Sequence, residues 1–139
     1  MNGATVEFRD SIPGADDYFA LFESSGWNQE YGLTADELAA AIGRSWHMVS
    51  AYDQNQLIGT GRIVSDGVFH ALIVDVIVSP GYRHHGLGSA IMQRLLERCR
   101  ACRIRDVQLF CARDTAPFYS RLGFVARPTN APGMDFRPA

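Results

Sequence analysis

The sequence predicts an α/β domain organised around a mixed, mostly antiparallel central sheet, and three observations predict it. Across residues 46–78 the chain is β-rich and apolarity recurs with period two, broken only at Asp53-Gln54-Asn55-Gln56 and Ser65-Asp66-Gly67, which is the pattern of a meander. From Leu87 the period lengthens: Leu87, Ile91, Met92, Leu95, Leu96 and Cys99 share one helical face, with Gln93, Arg94, Glu97 and Arg98 opposite. A further β-rich run, residues 107–111, follows that helix. Strand, crossover helix and strand over residues 73–111 imply a right-handed parallel unit joined to the antiparallel meander.

The remaining elements follow in order. Residues 6–9 alternate as a first strand, closed by Ser11-Ile12-Pro13-Gly14. After Asp16, the residues Tyr18, Phe19, Leu21 and Phe22 recur at helical spacing, so a first helix runs to Ser24-Ser25-Gly26. Thr34-Ala35-Asp36-Glu37 is a capping box, opening a second helix that runs to about Ala41 with Gly43 near its end. The meander strands are expected at 48–52, 57–64 and 68–78. Past the crossover unit, a short helix at 115–122 ends at Gly123, and Phe124-Val125 opens a final strand. No internal repeat, low-complexity tract or linker interrupts this order, so a single domain over residues 1–139 is expected.

Composition narrows the function. The 139 residues are 47% hydrophobic and 20% charged, which is ordinary globular material. A net charge of −2 supplies no long-range field to draw the chain to nucleic acid or to an anionic membrane, so neither is expected as a partner. No apolar run reaches membrane-spanning length and the N-terminus lacks a basic region followed by an apolar one, so a cytoplasmic protein is expected. All basic residues are arginine, which removes lysine nucleophiles and Schiff-base chemistry. Cys99-x-x-Cys102 lies on the apolar helical stripe with no second pair, and Cys111 stands alone; structural thiols are expected, with no metal site and no disulfide framework.

The residues that carry chemistry cluster after the meander. Residues 76–78 run into Ser79-Pro80-Gly81-Tyr82-Arg83-His84-His85-Gly86-Leu87-Gly88-Ser89, a glycine-containing turn that opens a helix. Glycines at 86 and 88 let the backbone approach a ligand, while unpaired N–H groups and the positive end of the helix dipole point at an anion. Neither the Walker pattern nor Gly-x-Gly-x-x-Gly fits, because no Lys-Ser or Lys-Thr follows the last glycine and the spacing is Arg-x-x-Gly-x-Gly. Asp75 interrupts an apolar run, where a carboxylate is costly unless it is useful or paired. It is either a general base or the structural partner of an arginine or a backbone N–H. His47 and His70 are further candidates by residue type, since histidine is the ordinary proton carrier near neutral pH, and packed or exposed non-catalytic roles are expected for both.

Arg83-x-x-Gly86-x-Gly88, followed one helix and one strand later by Phe118-Tyr119-x-x-x-Gly123-Phe124, resembles the paired signatures of the GCN5-related N-acetyltransferases (GNAT). The resemblance implies a GNAT fold with a sheet of six to seven strands and helices on both faces. It implies acetyl-CoA as cosubstrate, with the backbone of Val76, Ile77 and Val78 pairing with the pantetheine amides. Arg83, His84, His85, Gly86, Leu87, Gly88 and Ser89 would hold the pyrophosphate, and the loop at Asp114 and Thr115 would complete the CoA site. Tyr119 would protonate the departing thiolate, which suits a phenol; otherwise it packs beside Phe118 and Phe124. The expected reaction is direct acetyl transfer to a primary amine of a small molecule, with Asp75 as candidate base and an N–H near Val76 stabilising the oxyanion. The alternatives are acetylation of a protein N-terminus or lysine, and a non-catalytic acyl-CoA sensor. Ile73-Val74-Asp75-Val76 with Ala131-Pro132-Gly133-Met134 is similar to the small arylalkylamine-acetyltransferase branch, and Trp27 and Tyr31 are candidates for an aromatic acceptor wall. The resemblance allows a monomer or a homodimer, with Met134-Asp135-Phe136 as an edge strand.

Overall fold

The computed structural model describes residues 6–137. The chain falls into two compact units, the first reaching Gln108 and the second beginning at Leu109. In the first unit, β1 (Val6–Arg9) precedes α1 (Ala15–Ser24), α2 (Asn28–Tyr31) and α3 (Ala35–Gly43). The meander follows as β2 (His47–Asp53), β3 (Gln56–Ser65) and β4 (His70–Val78), then α4 (Leu87–Ala101) and β5 (Asp106–Leu109). The sheet runs in the order β1-β2-β3-β4-β5, with the first four strands antiparallel. Asp106 N–H donates to Phe69 C=O at 2.8 Å, so β5 and β4 start at the same end of the sheet.

Local chemistry explains the boundaries. Both halves of the capping box form: Thr34 Oγ1 accepts from Glu37 N–H and Glu37 Oε1 accepts from Thr34 N–H, each at 3.1 Å. Thr34→Ala is expected to cost about 1 kcal/mol of stability, read as a lowered thermal midpoint with the far-UV spectrum unchanged. The helical turn α2, unmarked in the sequence pattern, is held by buried Asn28, whose Nδ2 donates to Leu33 C=O and whose Oδ1 accepts from Leu33 N–H. Strand β4 begins at His70 rather than at 68, because Asp66 Oδ1 accepts from the N–H groups of Val68, Phe69 and His70 and holds them in a turn. Those bonds keep the Asp66 carboxyl below the usual carboxylate range.

Alternate residues of β3 face opposite sides of the sheet. On one side a Cβ added at Gly59 would lie 2.9 Å from Ile91, and one at Gly61 would lie 2.8 Å from both Ile91 and Leu95, so α4 rests directly on the strand backbone. On the other side Tyr18, Leu21 and Phe22 of α1 and Leu38 and Ile42 of α3 form a core with Met48, Tyr52, Leu57 and Ile77. Helices on both faces are as expected. The strand count is not: among the described residues the sheet has five strands rather than six to seven.

The missing strand is the one expected at Phe124-Val125, in the second unit. Helix α5 (Ala116–Ser120) ends in a left-handed Gly123 at φ 99°, with Gly123 N–H bonded to Ser120 C=O and Phe124 N–H to Tyr119 C=O. This Schellman-type closure commits the Phe124 donor to the helix, and Val125 beyond it is 88% exposed. Pro128 and Pro132 then remove further ladder donors. Met134-Asp135-Phe136 is likewise exposed and outside any strand.

Candidate active site

The turn after β4 is built in three steps. Ser79 N–H bonds to Ile58 C=O at 2.8 Å, ending the β3–β4 pairing, and a single 3-10 turn at Pro80–Tyr82 redirects the chain. Tyr82 OH donates to Asp53 Oδ2 at 2.6 Å, tying the turn to the β2–β3 connection; that bond pushes the phenol above its usual range. His84 and Gly86 then take left-handed backbones, φ 67° and 82°, and Gly86 caps α4 with no side-chain hydrogen bond. The first intrahelical bond is Ala90 N–H to Gly86 C=O, so the N–H groups of Leu87, Gly88 and Ser89 have no acceptor within the helix.

These features fit a phosphate group. The space around Gly86 is open, since a Cβ added there would meet nothing within 4 Å, and Arg83, His84 and His85 are exposed beside the cap. Leu87 is the exception among the expected contacts: its side chain is buried against the sheet, leaving only its N–H for a ligand. Arg83 Nε donates to Val78 C=O at 3.0 Å. The Arg83 side chain thus occupies a carbonyl that the resemblance assigns to pantetheine pairing.

Upstream of the turn, β4 carries a bulge. Its partners on β3 step from Arg62–Val74 to Thr60–Ile77, so three steps along β4 match two along β3, and Asp75 and Val76 fall outside the register. Asp75 has φ 54°, and a bulge of this kind interrupts the ladder and leaves backbone groups unmatched. The Asp75 carboxylate is not solitary: Arg62 Nε and Nη2 each lie 3.0 Å from Oδ2.

In the second unit, Asp114 is exposed in a turn with φ 63°, and Thr115 Oγ1 donates to Ala112 C=O at 2.7 Å. The Tyr119 ring stacks edge-on with Phe118 and Phe124, at centroid distances of 4.9 and 6.0 Å. Burial pushes the Tyr119 phenol above its usual range, and Cys111 adds to the shift. The candidate residues therefore divide between the units: residues 75–89 in the first, Asp114 and Tyr119 in the second.

Two histidines have acidic neighbours. His70 Nδ1 lies 3.1 Å from Asp106, and His47 Nε2 lies 3.6 Å from Asp10; burial lowers the His47 pKa while Asp10 opposes the shift. Cys99 is buried, Cys102 half-buried and Cys111 exposed. Among the described residues no group of three His, Cys, Asp or Glu side chains converges to hold a metal, and no helix is long and apolar enough to cross a membrane. Sequence reasoning missed the bulge and the Tyr82–Asp53 tie, and allowed an arginine partner for Asp75 without placing it at Arg62. The first had a faint signal, since aspartate tolerates a left-handed backbone better than the β-branched residues around it.

Residues 14–124 match the family model described as Acetyltransferase (GNAT) family. The chain is 34% identical over 133 residues to the histone acetyltransferase TAP1 of Glycine max, covering 88% of this chain and 56% of that protein. It is 35% identical over 79 residues to serotonin N-acetyltransferase 2 of Oryza sativa subsp. japonica, covering 57% of this chain and 40% of that protein. Among solved structures, an acetyltransferase-like protein of unknown function from Staphylococcus aureus superposes with a TM-score of 0.82 at 25% identity, over 96% of this chain and 99% of that one. This chain belongs to the GNAT acetyltransferase family. It spans little more than half the length of the soybean relative.

Proposed function

We propose that the chain is an acetyl-CoA-dependent N-acetyltransferase that moves an acetyl group directly to a primary amine of a small molecule. The observation that carries this reading is the run from bulge to turn on one strand. A register break at Asp75 and Val76 and an open helix N-terminus at Gly86 follow each other as an oxyanion donor and a phosphate cradle would. Acetyl-CoA, when bound, supplies an activated acetyl thioester. Leu87, Gly88 and Ser89 N–H with Arg83 hold the pyrophosphate, and residues 76–78 and Asp114 orient the remainder. The N–H at the bulge donates to the carbonyl oxygen as it gains negative charge. Tyr119 gives its proton to the sulfur as the C–S bond breaks and recovers one from the attacking amine by way of water.

Two roles stand for Asp75. As base, it accepts the amine proton; as structural partner of Arg62, it leaves that step to water. The 3.0 Å contacts with Arg62 favour the second. The acceptor class draws support from the serotonin acetyltransferase and from the part-buried Trp27, while Tyr31 is 67% exposed. Similarity to the soybean histone acetyltransferase supports a protein acceptor as the second reading. One acetyltransferase domain over residues 1–139, cytoplasmic and monomeric or dimeric, completes the proposal.

Release of thiol from acetyl-CoA, measured across a panel of aromatic and aliphatic amines and histone-type peptides, tests it. Turnover with a small amine is expected. Turnover with peptides alone would establish the second reading, and saturable acetyl-CoA binding without turnover would mark a sensor.

A further inference from the structure

Six non-glycine residues among those described have positive φ, and five of them, Gln54, Asn55, His84, Arg103 and Asp114, lie in turns. Asp75 alone lies inside a strand. A left-handed residue in a strand persists only when its surroundings over-determine it. Arg62 stands beside it, on the neighbouring strand opposite Val74. The guanidinium is 15% exposed and the carboxylate 28%, and two donors converge on the single oxygen Oδ2. Arg62 is itself anchored, with Nη1 at 3.3 Å from Ser45 Oγ and 3.5 Å from Ala41 C=O at the end of α3. The buried Tyr18 of α1 completes the surroundings: burial and the Asp75 charge keep its hydroxyl protonated, while Arg62 acts in the opposite sense. A run of polar contacts thus leads from α1 and α3 through Arg62 and Asp75 to the bulge.

We propose that Arg62 is a positioning residue for acetyl transfer: its ion pair with Asp75 holds the left-handed backbone there and so aims the bulge N–H at the acetyl carbonyl oxygen. This rests on reading the bulge as the oxyanion donor. Asp75 acts through the pair and not as the base. Removing Arg62 alone leaves a half-buried carboxylate without its partner and frees the strand to relax toward regular pairing. Removing both groups and placing glycine at 75 restores a residue that adopts positive φ without strain and leaves no orphaned charge.

The test compares Arg62→Met with the double variant Arg62→Met/Asp75→Gly, reading kcat, KM and the dissociation constant of acetyl-CoA. Arg62→Met is expected to lower kcat about 100-fold, the size of losing one oxyanion donor, with acetyl-CoA affinity unchanged. The double variant is expected to turn over faster than Arg62→Met. An Arg62→Met enzyme with wild-type kcat, or a double variant slower than the single one, would overturn the proposal; the latter outcome would return Asp75 to the role of base. A second readout is independent of turnover. In the free protein, the Asp75 and Val76 amide resonances are expected to shift, and their hydrogen exchange to quicken, in Arg62→Met. Unchanged amides would overturn the clamp even if the chain proved no transferase, whereas shifted amides without wild-type turnover would leave the clamp standing and sink the functional reading. If Arg62→Met does not fold, Arg62→Lys is read by the same two measurements, with an intermediate loss expected and an unchanged kcat or unchanged amides again counting against the clamp.

Discussion

Tyr119→Phe is expected to lower kcat by roughly two to three orders of magnitude, within the range for a general acid, with little change in acetyl-CoA affinity or thermal midpoint. The substitution removes one oxygen and keeps the ring, so the edge-on contacts with Phe118 and Phe124 survive. Burial raises the Tyr119 pKa, and Cys111 adds to it, so the phenol stays protonated through neutral pH and has a proton to give. The sign follows: in the wild type, the Tyr119 contribution is complete at neutral pH and is lost only as pH rises through the raised pKa. A kcat–pH profile of both enzymes checks this. The gap between them should close toward high pH, where neither has a phenol proton. A variant with full turnover would remove Tyr119 from the chemistry and leave it a packing residue of α5.

The second large effect is on stability. Gly61→Val is expected to destabilise the protein by about 3 kcal/mol, the upper part of the range for overpacking a core. A Cβ at this position would meet Ile91 Cγ2 and Leu95 Cδ1 at 2.8 Å and Val76 Cγ2 at 3.4 Å. Ile91 and Leu95 are fully buried, so neither has open space to turn into. The helix must therefore lift from β3, and the bulge beside Val76 must shift with it. Thermal denaturation should show a midpoint lower by roughly 10 °C, by the usual scaling for a domain of this size. An unchanged midpoint would mean that α4 does not seat on the glycine surface of β3.

Much of the molecule was legible because the relevant signals are local. The capping box at Thr34, the stripe on α4, the stop at Gly123 and the glycine turn before Leu87 each depend on residues within a turn or two of one another. The final strand failed for an equally physical reason. Phe124-Val125 has a β-like composition, but the N–H that would open a strand closes the Schellman motif of α5, and composition does not reveal where a donor goes. The Asn28 clasp on Leu33 is silent in the sequence because a single buried amide carries no periodicity.

The main elements through β5 and the glycine-containing turn before α4 are written in the chain alone, since each follows from short-range backbone and capping chemistry, and the family resemblance rests on motifs just as local. The partner of Asp75 is not so written, because it depends on how the strands pair. Its partner lies 13 residues away on another strand, and their meeting depends on a register that is broken by one residue. Because side chains alternate across a strand, a bulge reverses which face every following residue presents, and no local pattern announces it. The carboxylate that the sequence leaves open, as base or as partner of an arginine, is, once the strands pair, one half of an ion pair with Arg62.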